Sequence, residues 1–166
     1  MNKSISYLHN ETRQALLVFS VEDMRFAIDI DQIERVERST AVNALPETGS
    51  SVYGLLNYHG EMIPVIHLRH RFSLSLRPLS IHDRMIVLKY RGSRIALAVD
   101  TIEKLIYNDT INVVDKTITS KLHFEELGID QFTMHEGDAA VVYIFDLEKL
   151  LNAEDLTAFN NRKEHE

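Results

Sequence analysis

Residues 54–69, GLLNYHGEMIPVIHLR, carry the pattern that decides the fold. Two largely apolar runs, Val52 to Tyr58 and Met62 to Leu68, flank the polar segment His59-Gly60-Glu61. Short β-branched and aromatic runs on either side of a glycine-containing turn are typical of a β-hairpin. Pro64 cannot donate a ladder hydrogen bond, so we expect it at a sheet edge, a strand start or a bulge. One helical turn is expected at Arg69 to Phe72.

A duplication in the chain predicts two related subdomains. Residues 17–36 align without gaps with residues 86–105 at a fixed offset of 69, and six of the twenty positions are identical. The identical pairs are Val18 and Val87, Arg25 and Arg94, Ala27 and Ala96, Asp31 and Asp100, Ile33 and Ile102, and Glu34 and Glu103. Each copy begins with a predicted hairpin, and two copies are too few for a solenoid. Chance similarity between two amphipathic hairpins is the alternative explanation.

Each copy of the repeat is predicted to continue into a short helix. Asp31 precedes Glu34 by three residues, and Asp100 precedes Glu103 by the same spacing. A short acceptor at the N-cap with a carboxylate three residues later satisfies two backbone amides at a helix start. The helices must be short, because few apolar residues follow at helical spacing: Ile33 and Val36, then Ile102 and Leu105.

The composition is that of a globular protein with a core. Of the 166 residues, 45% are hydrophobic and 26% charged, and the absence of cysteine agrees with a reducing cytoplasm. A net charge of -7 without a basic stripe argues against nucleic acid and anionic lipid as partners. No segment approaches the ~20 apolar residues that span a bilayer, so no direct membrane insertion is expected. The N-terminus has no apolar region typical of a signal peptide.

Many short strands with sparse helix predict a mainly β protein built from two small β-barrels. We expect one domain over residues 14–159, with approximate subdomains at 14–76 and 84–150 and flexible tails at 1–13 and 160–166. Strand exchange between the subdomains stays open. Asn152 is expected to cap a C-terminal helix running through Leu156 and Phe159.

The segment 54–69 resembles the central signature of the CheW family of chemotaxis coupling proteins. The family pattern is Gly, two apolar residues, Asn-Leu-Arg-Gly, three residues, Pro, two apolar residues and Asp-Leu-Arg. The chain matches it at Gly54, Asn57, Gly60, Pro64, Leu68 and Arg69. The segments 17–30 and 146–152 also resemble the family's first hairpin and its closing strand and helix. The likeness runs from about Gln14 to Phe159, and the order and spacing of the motifs make it specific.

This resemblance implies a fold and a function. The implied fold is two similar five-stranded SH3-like β-barrel subdomains packed together, with short helices and a C-terminal helix. The implied function is that of a non-enzymatic cytoplasmic adaptor, recruited to membrane receptor arrays. Its partners would be a CheA-type histidine kinase and the cytoplasmic tip of a methyl-accepting chemoreceptor. An adaptor of a pilus or surface-motility pathway would have the same biochemistry with a different partner.

Two departures from the family pattern fall near the expected receptor surface. The family's arginine before the signature glycine is His59, and the acidic residue expected to face it is Arg35. The usual aspartate before Leu68 is His67. The candidate partner-binding residues are Arg35, Asn57, Tyr58 and His59. The residues expected to have structural roles are Gly54, Gly60, Pro64, Asp31 and Asp100. Tyr58→Ala and His59→Glu are expected to weaken recruitment without unfolding the chain.

A small-ligand or metal-binding sensory β-barrel is the competing hypothesis. His59, His67 and His70 lie within twelve residues, and imidazole is a common metal ligand. They are weak candidates because no carboxylate accompanies them at a characteristic spacing, so no metal or cofactor is expected. The sequence also lacks a nucleophile elbow, a phosphate-binding loop and a dinucleotide fingerprint, which argues against an enzyme.

Overall fold

The computed structural model describes residues 13–44, 52–107, 111–113, 129–135 and 141–151. In these ranges the chain is mainly β and forms two six-stranded sheets. The strands are β1 (Ala15–Val21), β2 (Met24–Asp29), β3 (Ile33–Arg38), β4 (Asn43–Ala44), β5 (Val52–Tyr58), β6 (Glu61–His67), β7 (Arg84–Tyr90), β8 (Ser93–Val99), β9 (Thr101–Tyr107), β10 (Ile111–Val113), β11 (Ile129–His135) and β12 (Val141–Phe145). The helices are α1 (Leu68–Arg71) and α2 (Leu147–Leu150), and a 3₁₀ turn covers Ile30–Gln32.

The chain divides into two compact units, and each contains one of the sheets. Unit 1 comprises Met1–Ile30 and Ile102–Leu150, and unit 2 comprises Asp31–Thr101 and Leu151–Glu166. The strand order is β10-β11-β12-β2-β1-β9 in unit 1 and β3-β7-β8-β6-β5-β4 in unit 2. Both sheets combine antiparallel hairpins with one parallel pair, β12 with β2 and β6 with β8.

Each sheet encloses its own apolar core. In unit 1 the buried cluster consists of Leu16, Val18, Ala27, Ile106 and Val142. In unit 2 it consists of Leu56, Tyr58, Ile63, Val65, Met85, Val87, Ala96 and Ala98. Alternate residues of the contributing strands supply these clusters, because successive side chains of a strand point to opposite faces.

The two copies of the duplicated sequence exchange their third strands between the units. At the offset of 69, β1, β2 and β3 correspond to β7, β8 and β9. The hairpin β1–β2 lies in unit 1 and its third strand β3 in unit 2, whereas β7–β8 lies in unit 2 and β9 in unit 1. The units therefore differ from the segments 14–76 and 84–150, because each unit combines a hairpin of one copy with the third strand of the other.

Two equivalent ion pairs follow this exchange. In unit 1, Arg25 Nε donates a hydrogen bond of 2.8 Å to Glu103 Oε2. In unit 2, Arg94 Nε donates one of the same length to Glu34 Oε2. Arg25 and Arg94 are repeat equivalents, and so are the two glutamates, so each pair joins one copy to the other. Two of the six identical positions, the arginine and the glutamate, thus connect the hairpin of one copy to the third strand of the other copy.

The short helices predicted after Asp31 and Asp100 are wrong. The residues after the 3₁₀ turn form β3, and those after Asp100 form β9. In β3 the register passes from Ile33 opposite Leu88 to Arg35 opposite Val87, so Glu34 is a bulge residue. A bulge adds one residue to a strand, and Ile33 and Val36 therefore share a face although they are three apart. A spacing of three between apolar residues is also typical of a helix, which is why the sequence predicted one.

Pro64 does not lie where the sequence predicts it. It is inside β6, which has β5 on one side and β8 on the other. It pairs with Leu55 of β5, whereas the pairing with β8 begins only at Val65. Proline is tolerated in this interior strand because it precedes the first residue of the second ladder.

Other elements follow the sequence more closely. The one-turn helix predicted at Arg69 to Phe72 is α1, displaced by one residue. The mainly β class is confirmed, but the sheets have six strands rather than five, and across the described strands they are not closed. The shortest strands are the two-residue β4 and the three-residue β10, each at one edge of its sheet. The predicted cap at Asn152, the helix after it and nearly all of both tails lie outside the described residues.

A largely buried ion network fixes the segment between α1 and β7. The Arg69 side chain is only 8% exposed, and its Nη2 lies 2.5 Å from Asp100 Oδ2. Its Nη1 donates a 2.8 Å hydrogen bond to the carbonyl of Ser75. Arg77 donates hydrogen bonds to both carboxylate oxygens of Asp83, at 2.7 and 2.8 Å, and one of 3.0 Å to Asp100 Oδ1. Asp100 is thus an acceptor for two arginines rather than a helix cap.

Asp100→Ala is expected to lower the free energy of unfolding by about 3–5 kcal/mol, because it leaves the buried Arg69 without its carboxylate. Urea unfolding measures the change. The matched control is Asp23→Ala, at an exposed position in the turn between β1 and β2, for which we expect a loss within about 0.5 kcal/mol. Equal losses in the two variants would contradict the role given to Asp100.

Candidate partner-binding surface

The turn between β5 and β6 is a tight two-residue connection. Tyr58 pairs with Glu61, so His59 and Gly60 alone form the loop. Both have positive φ, 51° for His59 and 90° for Gly60, as in a type I′ turn. Asn57 Oδ1 accepts a 2.9 Å hydrogen bond from the Gly60 N–H, which closes the turn. The turn therefore holds His59 in one place at the end of the hairpin.

Glu37, which the sequence analysis missed, is the acidic residue that faces this turn. Its Oε1 lies 4.0 Å from His59 Nε2 and 3.5 Å from Arg35 Nε. The sequence left open whether Arg35 and His59 approach each other, and in the structure the Glu37 carboxylate lies in contact with both. The strand period of two gives the signal, because residues 35 and 37 of a strand lie on the same face.

The contact between Glu37 and His59 requires the unit 2 sheet to curl. Glu37 belongs to β3, which is three strands away from β6 in the sheet order. Neighbouring strands are about 4.8 Å apart, so a flat sheet would separate them by roughly 14 Å. The observed 4.0 Å contact shows that β3 approaches the β5–β6 turn.

Arg94 reinforces the same end of unit 2. It donates hydrogen bonds of 2.8 Å to Glu34 and 2.7 Å to Glu61, which connects β3, β6 and β8. The hydrogen bond from Arg94 lowers the pKa of Glu34 and, together with the bond to Glu61, raises the pKa of Arg94. Glu34 and Arg94 therefore both stay charged at neutral pH.

The candidate residues differ in their accessibility. The side chains of Arg35 and His59 are 57% and 67% exposed, and Asn57 is exposed as well. Tyr58 is only 8% exposed and belongs to the apolar core, with its ring edge-on to His59 at 4.6 Å. This burial favours a packing role for Tyr58, so Tyr58→Ala is expected to destabilise unit 2, contrary to the expectation from sequence.

Two exposed apolar residues on the strands that carry this surface were also missed. Val36 of β3 is 39% exposed and Met62, just after the turn, is 38% exposed. Their chemistry alone does not distinguish them from core residues, which explains the omission. The strand registers place both on the sheet face opposite to that of Arg35 and Glu37. We call the group Arg35, Asn57 and His59 the turn surface.

Gly54 has a packing role at the other end of β5. A Cβ at this position would lie 2.4 Å from the carbonyl oxygen of Asn43 and 2.8 Å from Val42 Cγ1. Real Cβ contacts are never that short, so only glycine allows β4 to pair with β5.

The three histidines proposed as weak metal ligands do not form one site. His59 lies in the turn before β6 and His67 at the end of β6, eight residues later, which places them roughly 25 Å apart along the strand. His67 is 5% exposed, its ring is tilted against that of Tyr53 with 5.1 Å between the centroids, and its Nδ1 has no hydrogen-bond partner. His70 is exposed on α1. The described ranges contain no cluster of three His, Cys, Asp or Glu side chains suited to a metal ion.

Comparison with known proteins identifies the family. The family model of the CheW-like domain matches residues 15–155, so the chain belongs to the CheW-like domain family. The chemotaxis protein CheW of Bacillus subtilis is 28% identical over 110 residues, covering 66% of this chain and 67% of that protein. CheW of Klebsiella aerogenes is 22% identical over 161 residues, covering 95% and 94%.

The fold is also similar to a crystal structure, that of the scaffolding protein TtCheW from Thermoanaerobacter tengcongensis. The TM-score is 0.68 and the sequence identity 23%, over 89% of this chain and 93% of the other. No helix within the described ranges is long and apolar enough to cross a membrane.

His67 is expected to make stability depend on pH. Burial lowers the pKa of His67 below its ordinary value of 6.5, and the nearby Arg69 and Arg77 charges act in the same direction, against a bond to the Arg77 backbone. The unfolded chain therefore binds a proton near pH 6.5 that the folded chain does not, and stability falls as pH decreases through that value. His67→Gln is expected to lose less free energy of unfolding than wild type between pH 7.5 and about 5.5.

Denaturant unfolding at the two pH values measures this difference. The control is His70→Gln, which changes an exposed histidine three residues away and is expected to behave as wild type. A wild-type pH dependence that persists in His67→Gln would contradict the assignment to His67.

Proposed function

We propose that this chain is a non-enzymatic adaptor that couples chemoreceptors to a CheA-type histidine kinase in chemotaxis-like signalling. Support comes from the match to the CheW-like domain over residues 15–155. The relatives from Bacillus subtilis and Klebsiella aerogenes are chemotaxis proteins, and the similar structure is that of a scaffolding protein.

The observation that carries the proposal is the turn surface of unit 2. A positive-φ turn, fixed by Asn57, presents His59 next to the Glu37 carboxylate and the exposed Arg35. Exposed apolar side chains lie on the same strands. Protein interfaces combine an apolar centre with polar groups that set orientation, and the strands that form this surface carry residues of both kinds. We assign it to the receptor, since the family signature is centred on this hairpin.

The mechanism that follows is positional. The adaptor holds the kinase in a geometry that the receptor can shift between two states, and signalling is that population shift. Contacts of this kind are individually weak, and an array of many copies makes them effective through multivalency. An adaptor with this role acts in the cytoplasm at membrane receptor arrays.

A small-ligand sensor is the second candidate, favoured by one cavity in unit 2. The cavity has a volume of about 420 Å³, and Tyr53, Val42 and Leu79 are among its lining residues. Ligand sites commonly have this size. A thermal-shift screen with divalent metals and small metabolites separates the candidates, because a large ligand-specific rise in Tm favours the sensor.

The adaptor proposal predicts that purified wild-type protein binds both receptor cytoplasmic fragments and a CheA-type kinase from the same organism. His59→Glu is expected to weaken receptor binding about tenfold, since it places a carboxylate beside Glu37 and so opposes like charges. Kinase binding should remain. Pull-down followed by titration calorimetry measures both.

The matched control is His82→Glu, which makes the same charge change at an exposed histidine outside the turn surface. It should leave both affinities unchanged. Failure of the wild-type protein to bind either partner would overturn the adaptor proposal. Normal receptor binding by His59→Glu would remove the turn surface from the receptor contact.

A further inference from the structure

We propose that Arg38 and Arg84 form a binding site for a phosphate group, carried by inorganic phosphate or by a small phosphate monoester. Such a site lies outside the adaptor function and does not depend on it. The two arginines lie side by side in unit 2, and within the described ranges neither forms an ion pair with a carboxylate.

The strand register places the two arginines next to each other. Arg38 is the last residue of β3 and Arg84 the first residue of β7, and they are direct partners in the antiparallel pair. The Ser39 N–H donates a 3.0 Å hydrogen bond to the Asp83 carbonyl, which continues the pairing beyond the strand ends. Directly opposite residues point to the same face, with about 5 Å between their Cβ atoms, and like charges there are unfavourable. The pair therefore costs stability unless an anion lies between the two charges.

Arg84 is held in position by the backbone. Its Nη1 donates hydrogen bonds of 2.9 Å to the His82 carbonyl and 3.1 Å to the Asp83 carbonyl. Its Nε and Nη2 make no hydrogen bond within the described ranges. A guanidinium can bind an oxyanion through two parallel N–H groups, and Arg25 uses Nε and Nη2 in this way toward Glu103. The same edge of Arg84 is thus oriented and open to a ligand.

The acidic residues that neighbour the two arginines in sequence have other partners. Asp83 accepts hydrogen bonds from Arg77 at both carboxylate oxygens. Glu37 points to the opposite face of the sheet, where it contacts His59. Arg38 is exposed to solvent. In a chain with a net charge of -7, the two guanidiniums therefore form a local excess of positive charge.

The fold does not require this charged pair. At the offset of 69, the positions equivalent to Arg38 and Arg84 in the other copy are Tyr107 and Ala15. Charged residues on an edge strand can also serve only to prevent aggregation, and β3 is an edge strand. That role accounts for Arg38 but not for Arg84, because β7 lies between β3 and β8 in the sheet. A ligand shared by the two side chains accounts for both.

A phosphate group matches the two guanidiniums in charge and in number of acceptors. It carries a charge of about -2 at neutral pH and at least three acceptor oxygens, and arginine is well suited to bind it through two hydrogen bonds. A carboxylate has one charge and two oxygens, so two parallel bonds to one arginine occupy both oxygens. Two arginines are too few for a nucleic acid or lipid surface, which needs a wider basic patch. The ligand is therefore a small molecule.

Removal of Arg38 distinguishes a ligand site from a structural role. In phosphate-free buffer, Arg38→Gln is expected to be at least as stable as wild type, because it relieves the repulsion from Arg84. Phosphate is expected to raise the Tm of the wild-type protein, compared with chloride at equal ionic strength, since it binds the folded chain. Arg38→Gln should lack this rise. The control Arg35→Gln removes the same charge from the opposite face of the same strand and should keep the rise.

Titration with inorganic phosphate, followed by the NMR signal of the Arg84 Nε–H group, measures the affinity. Arg38→Gln is expected to bind about tenfold more weakly than wild type, and Arg35→Gln as wild type. A second titration with phenyl phosphate distinguishes the two sources of the group. Equal affinity would support free phosphate as a sufficient ligand, and tighter binding would support an esterified phosphate.

Four results would overturn the inference. Destabilisation of Arg38→Gln in phosphate-free buffer would give Arg38 a structural role. The same response to chloride as to phosphate would show charge screening only. Equal loss of affinity in Arg35→Gln would show an effect of net charge. Binding of acetate as tight as that of phosphate would show that the site does not select a phosphate group.

Discussion

The antiparallel pairing of β3 with β7 is the interaction on which the rest of unit 2 depends. It joins the third strand of the first sequence copy to the hairpin of the second. The bulge at Glu34 directs that carboxylate to Arg94, and the following register brings Glu37 to the β5–β6 turn. Without this pairing, Glu37 would not reach His59, because β3 has no pairing with β5 or β6 in the described sheet.

The same strand exchange explains why both copies contain the same arginine and the same glutamate. An arginine in each hairpin bonds to a glutamate in the third strand of the other copy, in unit 1 and in unit 2 alike. The two units have nevertheless diverged where function is proposed. Unit 2 has Glu37 in contact with His59 and Arg35, while the equivalent position of unit 1, Ile106, is part of the core. Equivalent positions of the two sheets thus hold a core residue in unit 1 and a residue of an ionic surface in unit 2.

Local features were predictable from the sequence, and features that depend on distant pairing were not. The hairpin turn at His59 and Gly60, the backbone bond of Asn57 and the one-turn helix α1 each depend on a few consecutive residues. The helices expected after Asp31 and Asp100 were wrong, because a bulge gives a strand the apolar spacing of a helix. The burial of Tyr58 and the position of Glu37 opposite His59 depend on the curl of the sheet, which no local pattern encodes.

The sequence by itself determined the mainly β class, the duplication, the central hairpin and the family, because these follow from residue type, alternation and motif spacing. The tertiary structure alone decided how the copies are shared between units and which charges meet. Asp100 illustrates the difference, since its spacing to Glu103 indicated a cap whereas folding brings it to Arg69 and Arg77. Ion pairs between residues far apart in sequence depend on strand order and register, and chain-distant pairing sets both.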